Sequence, residues 1–414
     1  MRNRPRSPLL TPFEVRSFRF QFPADLLTSW AIEMEIIILG WFILVETGSV
    51  LLLTLYGALQ YLGTLISPVF GLVGDRFGHR NVLAVMRAVY ACLAAVLTVL
   101  SFAHAVDSVT VFIIATISGL VRPSDLAMRN ALVAETMPGD RLMAAMGVSR
   151  TTSDSARVVG SLAGAAVFAL LGMGWAYLVV SAFYAGGFCL TLGVGAARTA
   201  GDRLARMALW RDLKDGMRFI ADSPQSLAAM LLAFVVNMTA FPITHGLLPY
   251  VARDIYHIGQ GGLGTLVASF AAGALIGSVV VSMAGRSLRP ARMMMVFAMA
   301  WFVMVLAFVW MPTPGLGRIM LVAAGLAQSL SMVPMAVMLL HSAGSQFRGR
   351  VMGVRMLAIY GLPIGLVCAG WLIERIGFVS MATGYCVLGM LATAAIWVRW
   401  RRALWPKDAG ANAR

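Results

Sequence analysis

Charge is what this sequence has least of. Only 12% of its 414 residues are Asp, Glu, Lys or Arg, while 59% are hydrophobic, a balance that a water-soluble domain rarely reaches. Cysteine is scarce as well. Cys92, Cys189, Cys368 and Cys386 lie far apart within apolar stretches, which argues against a disulfide framework or a thiolate metal site and leaves them as small packing residues. The five histidines form no i, i+4 pair, so neither a metal nor a cofactor is expected. There is no H-E-x-x-H, no G-x-S-x-G and no Walker motif. An enzyme reading therefore lacks its nucleophile or metal, and ATP-driven work would need a partner chain. A membrane sensor would be expected to carry a soluble domain or long tail, and only 15 residues follow Arg399.

What the sequence has in abundance is long apolar runs. A bilayer core of about 30 Å takes about 20 apolar residues per helix, and continuous runs of that length exclude a β-barrel, whose strands would alternate. We read an all-α membrane protein with twelve transmembrane helices, near 25–46, 50–72, 82–104, 108–133, 142–171, 174–196, 226–248, 261–285, 291–311, 316–341, 353–373 and 378–399. The first follows a basic leader and has no cleavage site behind it, so it is expected to be retained.

A net charge of +15 would suggest nucleic acid in a soluble protein. Its distribution says otherwise. With the N-terminus inside, 25 of the 33 Lys and Arg fall in inner segments, Arg253, Arg318 and Arg375 lie outside, and five lie within spans. That is the positive-inside asymmetry, which places both termini in the cytoplasm. No nucleic-acid partner is expected; the partners are the lipid bilayer and a small molecule, and a monomer is expected.

Residues 198–225 separate six spans from six. Trp210, Leu213, Met217 and Ile220 recur there at helical spacing opposite Arg211, Asp212, Lys214, Asp215 and Arg218, as in a helix lying on the membrane surface. The halves echo each other: GDR at 74–76 against GRS at 285–287, and DRLMAAMG before span five against GRVMGVRM before span eleven. The expected organisation is a leader at 1–24, a six-helix bundle at 25–197, a linker at 198–225, a second pseudo-symmetric bundle at 226–399 and a basic tail at 400–414. Such repeats surround a midplane site that faces each side in turn.

Charges inside the spans need an explanation, because one costs about 2.5–3.5 kcal/mol at mid-bilayer even on a lenient scale. Arg122, Asp125 and Arg129 of span four fall within about 60° of one another on a helix. Arg150, Asp154, Arg157 and Ser161 form a similar stripe on span five, and Asp125 and Asp154 have basic partners at i+4 or i+3. These stripes suit either a lined aqueous cavity or ion pairs that fix the fold. Glu33 and Glu35 of span one point to nearly opposite sides, one to the cavity and the other to a neighbour such as Arg87. A buried carboxylate beside an arginine is a candidate proton carrier. GQGGLG at 259–264 fits a dinucleotide pattern but follows no strand, so helix packing is its expected role.

After span two comes GLVGDRFGHR at 71–80, which resembles the G-x-x-x-D-R-x-G-R-R signature of the major facilitator superfamily, with His79 in place of one basic residue. LGWFILVETGS, DLAMRNALVAE, ARVVGSLAG, LKDGMRFI, LPYVARDIY and RGRVMG resemble the bacterial branch that contains the enterobactin exporter and related efflux permeases. Ser161 stands where that branch has proline, leaving its antiporter pattern incomplete. The resemblance implies the major facilitator fold in a bacterial inner membrane and proton-coupled export of an amphipathic small molecule, such as a drug, toxic metabolite or siderophore, by alternating access. It favours Glu35 over Glu33 as the polar position on span one. It also implies a cytoplasmic gate of Gly71, Gly74, Asp75, Arg76, Gly78 and Arg80 with Arg348, Arg350, Gly353 and Arg355, in which Asp75 latches to an arginine of span eleven. The alternative is proton-coupled uptake of an anionic small solute, which an excess of arginine over acid in the spans would suit.

Reporter fusions test the topology. Those at Asp107 and Gly172 should read as external and those at His79 and Asp215 as internal; inversion at any two would overturn it.

Overall fold

Backbone N–H and C=O groups find no partner in hydrocarbon, so a chain this apolar crosses it only as helices or as a closed barrel. The computed structural model describes residues 8–64, 66–195, 205–284, 289–342 and 354–405, and no strand occurs among them. Nine of the described helices are long and apolar enough to cross a membrane, ten when a bent pair counts as one span.

Helix geometry accounts for the other two of twelve. Helix α6 (Gly139–Leu192) is two spans joined without a loop, because Gly172 alone leaves helical geometry at φ 80° and ψ 179°. Glycine reaches that conformation without the clash a Cβ would bring. The second span is broken into α2 (Val50–Leu59), a 3-10 turn at Leu62–Thr64 and α3 (Ser67–Phe77). The bent pair comprises the linker helix α7 (Ala205–Asp222) and α8 (Pro224–Thr239), turned by 109° with Ser223 capping the second. The protein is thus an all-α membrane protein of twelve transmembrane helices in two six-helix bundles.

Helix α1 (Arg16–Thr47) starts inside the stretch read as leader. Phe18 and Phe22 bring that extra length into an apolar cluster with Phe13, Val133, Met137 and Ala145, and Arg141 pairs with Glu14 at 2.9 Å. Helices α4 (His79–Phe102) and α5 (Ser108–Thr136) follow. Asp107 caps α5 by accepting from the Thr110 N–H at 3.1 Å, and that bonding holds its carboxyl below the usual range.

Contacts divide the chain into two units: Met1–Ser49, Leu59–Arg206 and Ile258–Ala268, and then Val50–Ala58, Met207–His257 and Ser269–Arg414. Within each, small residues at i, i+4 let helices approach, as packing in lipid requires. In the first, Gly160 and Gly164 of α6 receive Trp30, Glu33 and Met34 of α1. In the second, Gly273 and Gly277 of α10 (Gln260–Ala284) meet Val322 and Leu326 of α12 (Pro314–Ser342). The remaining helices are a three-residue turn, α9 (Leu248–Tyr250), then α11 (Pro290–Val309), α13 (Gly361–Ile376), α14 (Phe378–Arg399) and the short α15 (Arg401–Leu404).

The cysteines depart from the packing role expected of them. Cys386 is buried, but Cys92, Cys189 and Cys368 are exposed, since a thiol is apolar enough to sit on an outer face of a span.

Gly119 and Gly63 define a second close approach, their Cα atoms set against the carbonyls of Leu59 and Leu120. Gly119→Ala should lower stability by about 1–3 kcal/mol. Gly71→Ala, with nothing within 4 Å of an added Cβ, should stay within about 0.5 kcal/mol. Thermal unfolding in micelles would check both, and equal shifts would refute the backbone-contact account.

Candidate functional site

The first unit holds a buried seam of paired charges. Helix α1 lies against both halves of α6 and against α5, so the polar residues on its inner faces are largely withdrawn from water and need partners in the protein. Asp25, Ser29, Glu33 and Glu35 are those residues.

They are met in two layers and one flank. In one layer Arg122 of α5 donates to Glu35 at 2.5 Å and also to Gln60, while the Tyr184 hydroxyl of α6 donates to the same Glu35 oxygen at 2.7 Å. Tyr90 of α4 packs on Tyr184 with ring centroids 5.3 Å apart. In the other layer Arg87 of α4 donates to Asp25 and to Thr191. Arg129 donates to Ser29 at 2.6 Å, pairs with Asp125 one turn earlier, and lies 3.7 Å from Asp25. On the flank Glu33 faces Arg157 at 3.7 Å.

The two glutamates differ in access. The Glu35 side chain is 4% exposed, whereas Glu33 is 21% and Arg157 36% exposed. Glu35 is therefore sealed within its network, and the Glu33–Arg157 pair is the most exposed part of the seam. Two buried oxygens, the Tyr90 hydroxyl and Asp125 Oδ1, lack a hydrogen-bond partner among the described residues.

The sequence singled out Glu33, Glu35, Arg122, Asp125 and Arg157, and the structure brings all five into or beside this seam. Asp154 lies on α6, with only its backbone described. Arg87 departs from expectation: it pairs with Asp25 rather than with either glutamate. The cause is the early start of α1, which sets Asp25 well inside the helix instead of at its first residue. Asp25, Ser29, Gln60, Tyr90 and Tyr184 were not anticipated. Asp25 alone carried a signal, as an acid at the margin of an apolar run.

At the GLVGDRFGHR turn, α3 ends at Gly78, whose φ of 87° favours glycine. Gly74 faces the His79 ring and Met128. His79 is buried and its Nδ1 lies 2.5 Å from Glu135 of α5. Arg80 donates to the Val194 carbonyl at 3.2 Å, and Arg76 lies over the Phe77 ring at 5.3 Å. Asp75 sits in the last turn of α3, with its side chain outside the description. Arg348, Arg350 and Gly353 lie outside the described residues, and Arg355 is half-buried near the start of a helix running from Val354.

A charge-paired seam enclosed by long apolar helices, in a chain of two six-helix bundles, marks a membrane transporter. The chain belongs to the Major Facilitator Superfamily, whose family model matches residues 23–360. It is 22% identical over 365 residues to macrolide efflux protein A of Streptococcus pyogenes, covering 85% of this chain and 87% of that protein. It is 25% identical over 379 residues to the multidrug efflux pump Tap of Mycolicibacterium fortuitum, covering 87% and 90%. Its fold is that of a POT family transporter solved with 5-aminolevulinic acid, with a TM-score of 0.73 at 13% identity over 94% of this chain and 97% of that one. The protein is therefore a multi-pass membrane transporter that handles small molecules, and not an enzyme.

Removing one partner of a buried ion pair strands the other. Arg87→Leu should destabilise the protein by about 3–5 kcal/mol, and adding Asp25→Asn to it should recover part of that loss. Unfolding midpoints of the single and double variants would check this; a double variant worse than the sum of the singles would refute the pairing.

Proposed function

We propose that this transporter exports an amphipathic small molecule, such as a drug, toxic metabolite or siderophore, in exchange for protons. We place it in a bacterial inner membrane with both termini cytoplasmic. Export is supported by the efflux relatives, which match nearly the whole chain, and the orientation by the distribution of arginine.

The observation that carries the coupling mechanism is the shared use of Glu35 by Arg122 and Tyr184. A proton placed on Glu35 removes the charge that holds Arg122, so the arginine must find another acceptor or a more hydrated position. Glu35 is thereby the step at which protonation changes the packing among α1, α5 and α6. Glu33 and Arg157, being partly exposed, are assigned to the substrate path with Asp125 and Asp154, so that substrate and proton act on neighbouring turns of the same helices. Asp75 is assigned the cytoplasmic latch, its carboxylate accepting from Arg350 or Arg355, on the strength of the sequence motif.

The alternative, uptake of an anionic solute, drew on unbalanced arginine in the spans. The structure weakens that support, because Arg87, Arg122, Arg129 and Arg157 each face an acid.

In proteoliposomes, Glu35→Gln and Asp154→Asn should each reduce gradient-driven transport far more than they lower the unfolding midpoint, and Glu35→Gln should also abolish substrate-dependent proton movement. Wild-type rates and pH dependence in both variants would reduce these residues to fold-fixing ones. Accumulation of a toxic substrate by cells that lack the protein supports export, and accumulation by cells that overproduce it would favour uptake.

A further inference from the structure

One end of the second unit gathers arginine and tryptophan in a way that the transport seam does not use. Helix α14 ends at Arg399, and the chain then turns through Trp400 into α15 and on to Trp405. This segment is pinned rather than trailing. Leu404 is buried, and Gln225 in the first turn of α8 donates to the Ala403 carbonyl at 2.7 Å.

The pinning brings Trp405 against two neighbours. Its ring lies 5.8 Å from that of Trp397, and the Arg292 guanidinium from the first turn of α11 sits 5.2 Å from its centroid. Arg399 lies over Trp400 at 5.6 Å, and Arg401 and Arg402 are exposed beside it. Arg289 and Pro290 precede Arg292 at a helix start that no side chain caps. Five arginines, Arg289, Arg292, Arg399, Arg401 and Arg402, thus lie at the start of α11 and along the turn from α14 into α15.

Retention of positive charge on one side of a membrane needs only charge, at any position in a loop. This corner has more than charge. Stacking on an indole fixes a guanidinium in advance of binding, and a fixed planar fork suits the paired oxygens of a phosphate. Indole rings at the ends of spans lie at the depth of lipid headgroups. We propose that Arg292, held against Trp405 and its neighbour Trp397, together with the exposed Arg401 and Arg402, binds the phosphodiester headgroup of an anionic phospholipid at a defined site on the second unit. The inference is independent of the direction of transport.

The test uses the purified full chain in detergent, with native mass spectrometry titrations of phosphatidylglycerol, phosphatidylcholine and inorganic phosphate. Phosphatidylglycerol should bind saturably and phosphatidylcholine should not. Arg401→Gln with Arg402→Gln should weaken binding about fivefold per charge removed, the equivalent of about 1 kcal/mol per basic residue. Trp405→Ala should weaken it comparably with net charge unchanged, and Trp405→Phe should restore most of it, while Arg253→Gln at the opposite end of the same unit should bind as wild type. Trp405→Phe also serves if Trp405→Ala fails to fold, since loss of binding with a ring still present would count against the stacking role. Equal binding of the two lipids, or wild-type binding by Trp405→Ala, would overturn the proposal. Saturation by inorganic phosphate with the same dependence on Arg401 and Arg402 would assign the site to a phosphate ion instead of a lipid.

Discussion

A charge held within a bilayer must be matched by an opposite one, and the first bundle is arranged around that requirement. Helix α1 supplies three of the four carboxylates of the buried seam, Asp25, Glu33 and Glu35, and its neighbours α4, α5 and α6 each present an arginine to them. The glycines of α6 that let α1 approach closely are part of the same solution, because an ion pair inside protein needs short, well-directed contacts to offset lost hydration. Neutral groups complete it. Gln60, Ser29, Thr191 and Tyr184 occupy donor or acceptor positions that the charged partners leave open.

The second bundle meets the membrane differently. The ion pairs described above all belong to the first unit. In the second, Phe241, His245, Phe270 and Trp301 pack edge to face at centroid distances of 4.7–5.3 Å. The helix beside them widens twice, with Leu247 donating to Pro242 and Tyr256 to Val251 across five residues. Pro242 and Pro249 remove two backbone donors from this stretch, and widened turns are one way for a helix to absorb that loss.

Much of this was legible in the sequence, and what was not has identifiable causes. Twelve crossings could be counted because each needs its own apolar run. The stripe of Arg122, Asp125 and Arg129 was visible because helical periodicity fixes the angle between residues of one span. Which residue faces which across two helices is not periodic. The sequence therefore points Arg87 to a glutamate where the structure pairs it with Asp25, and it puts a boundary at Asp25 because hydropathy marks where apolar residues begin, not where a helix does. Tyr90, Tyr184 and Gln60 carried no signal, since a tyrosine in a span is more often packing than chemistry. Pro23 would ordinarily argue against a helix running through it, yet α1 continues, held by the aromatic cluster of Phe13, Phe18 and Phe22.

Gly172 and Gly377 share a property that single crossings do not reveal. Each has positive φ, at 80° and 79°, and each joins two apolar helices in a single residue. At these turns there is almost no connecting chain to bend or cut. A protease approaching from that side would find no exposed strand long enough to enter its cleft, and an epitope inserted at either would have to pry two helices apart. The four spans they join are, in mechanical terms, two stiff struts instead of four independent rods.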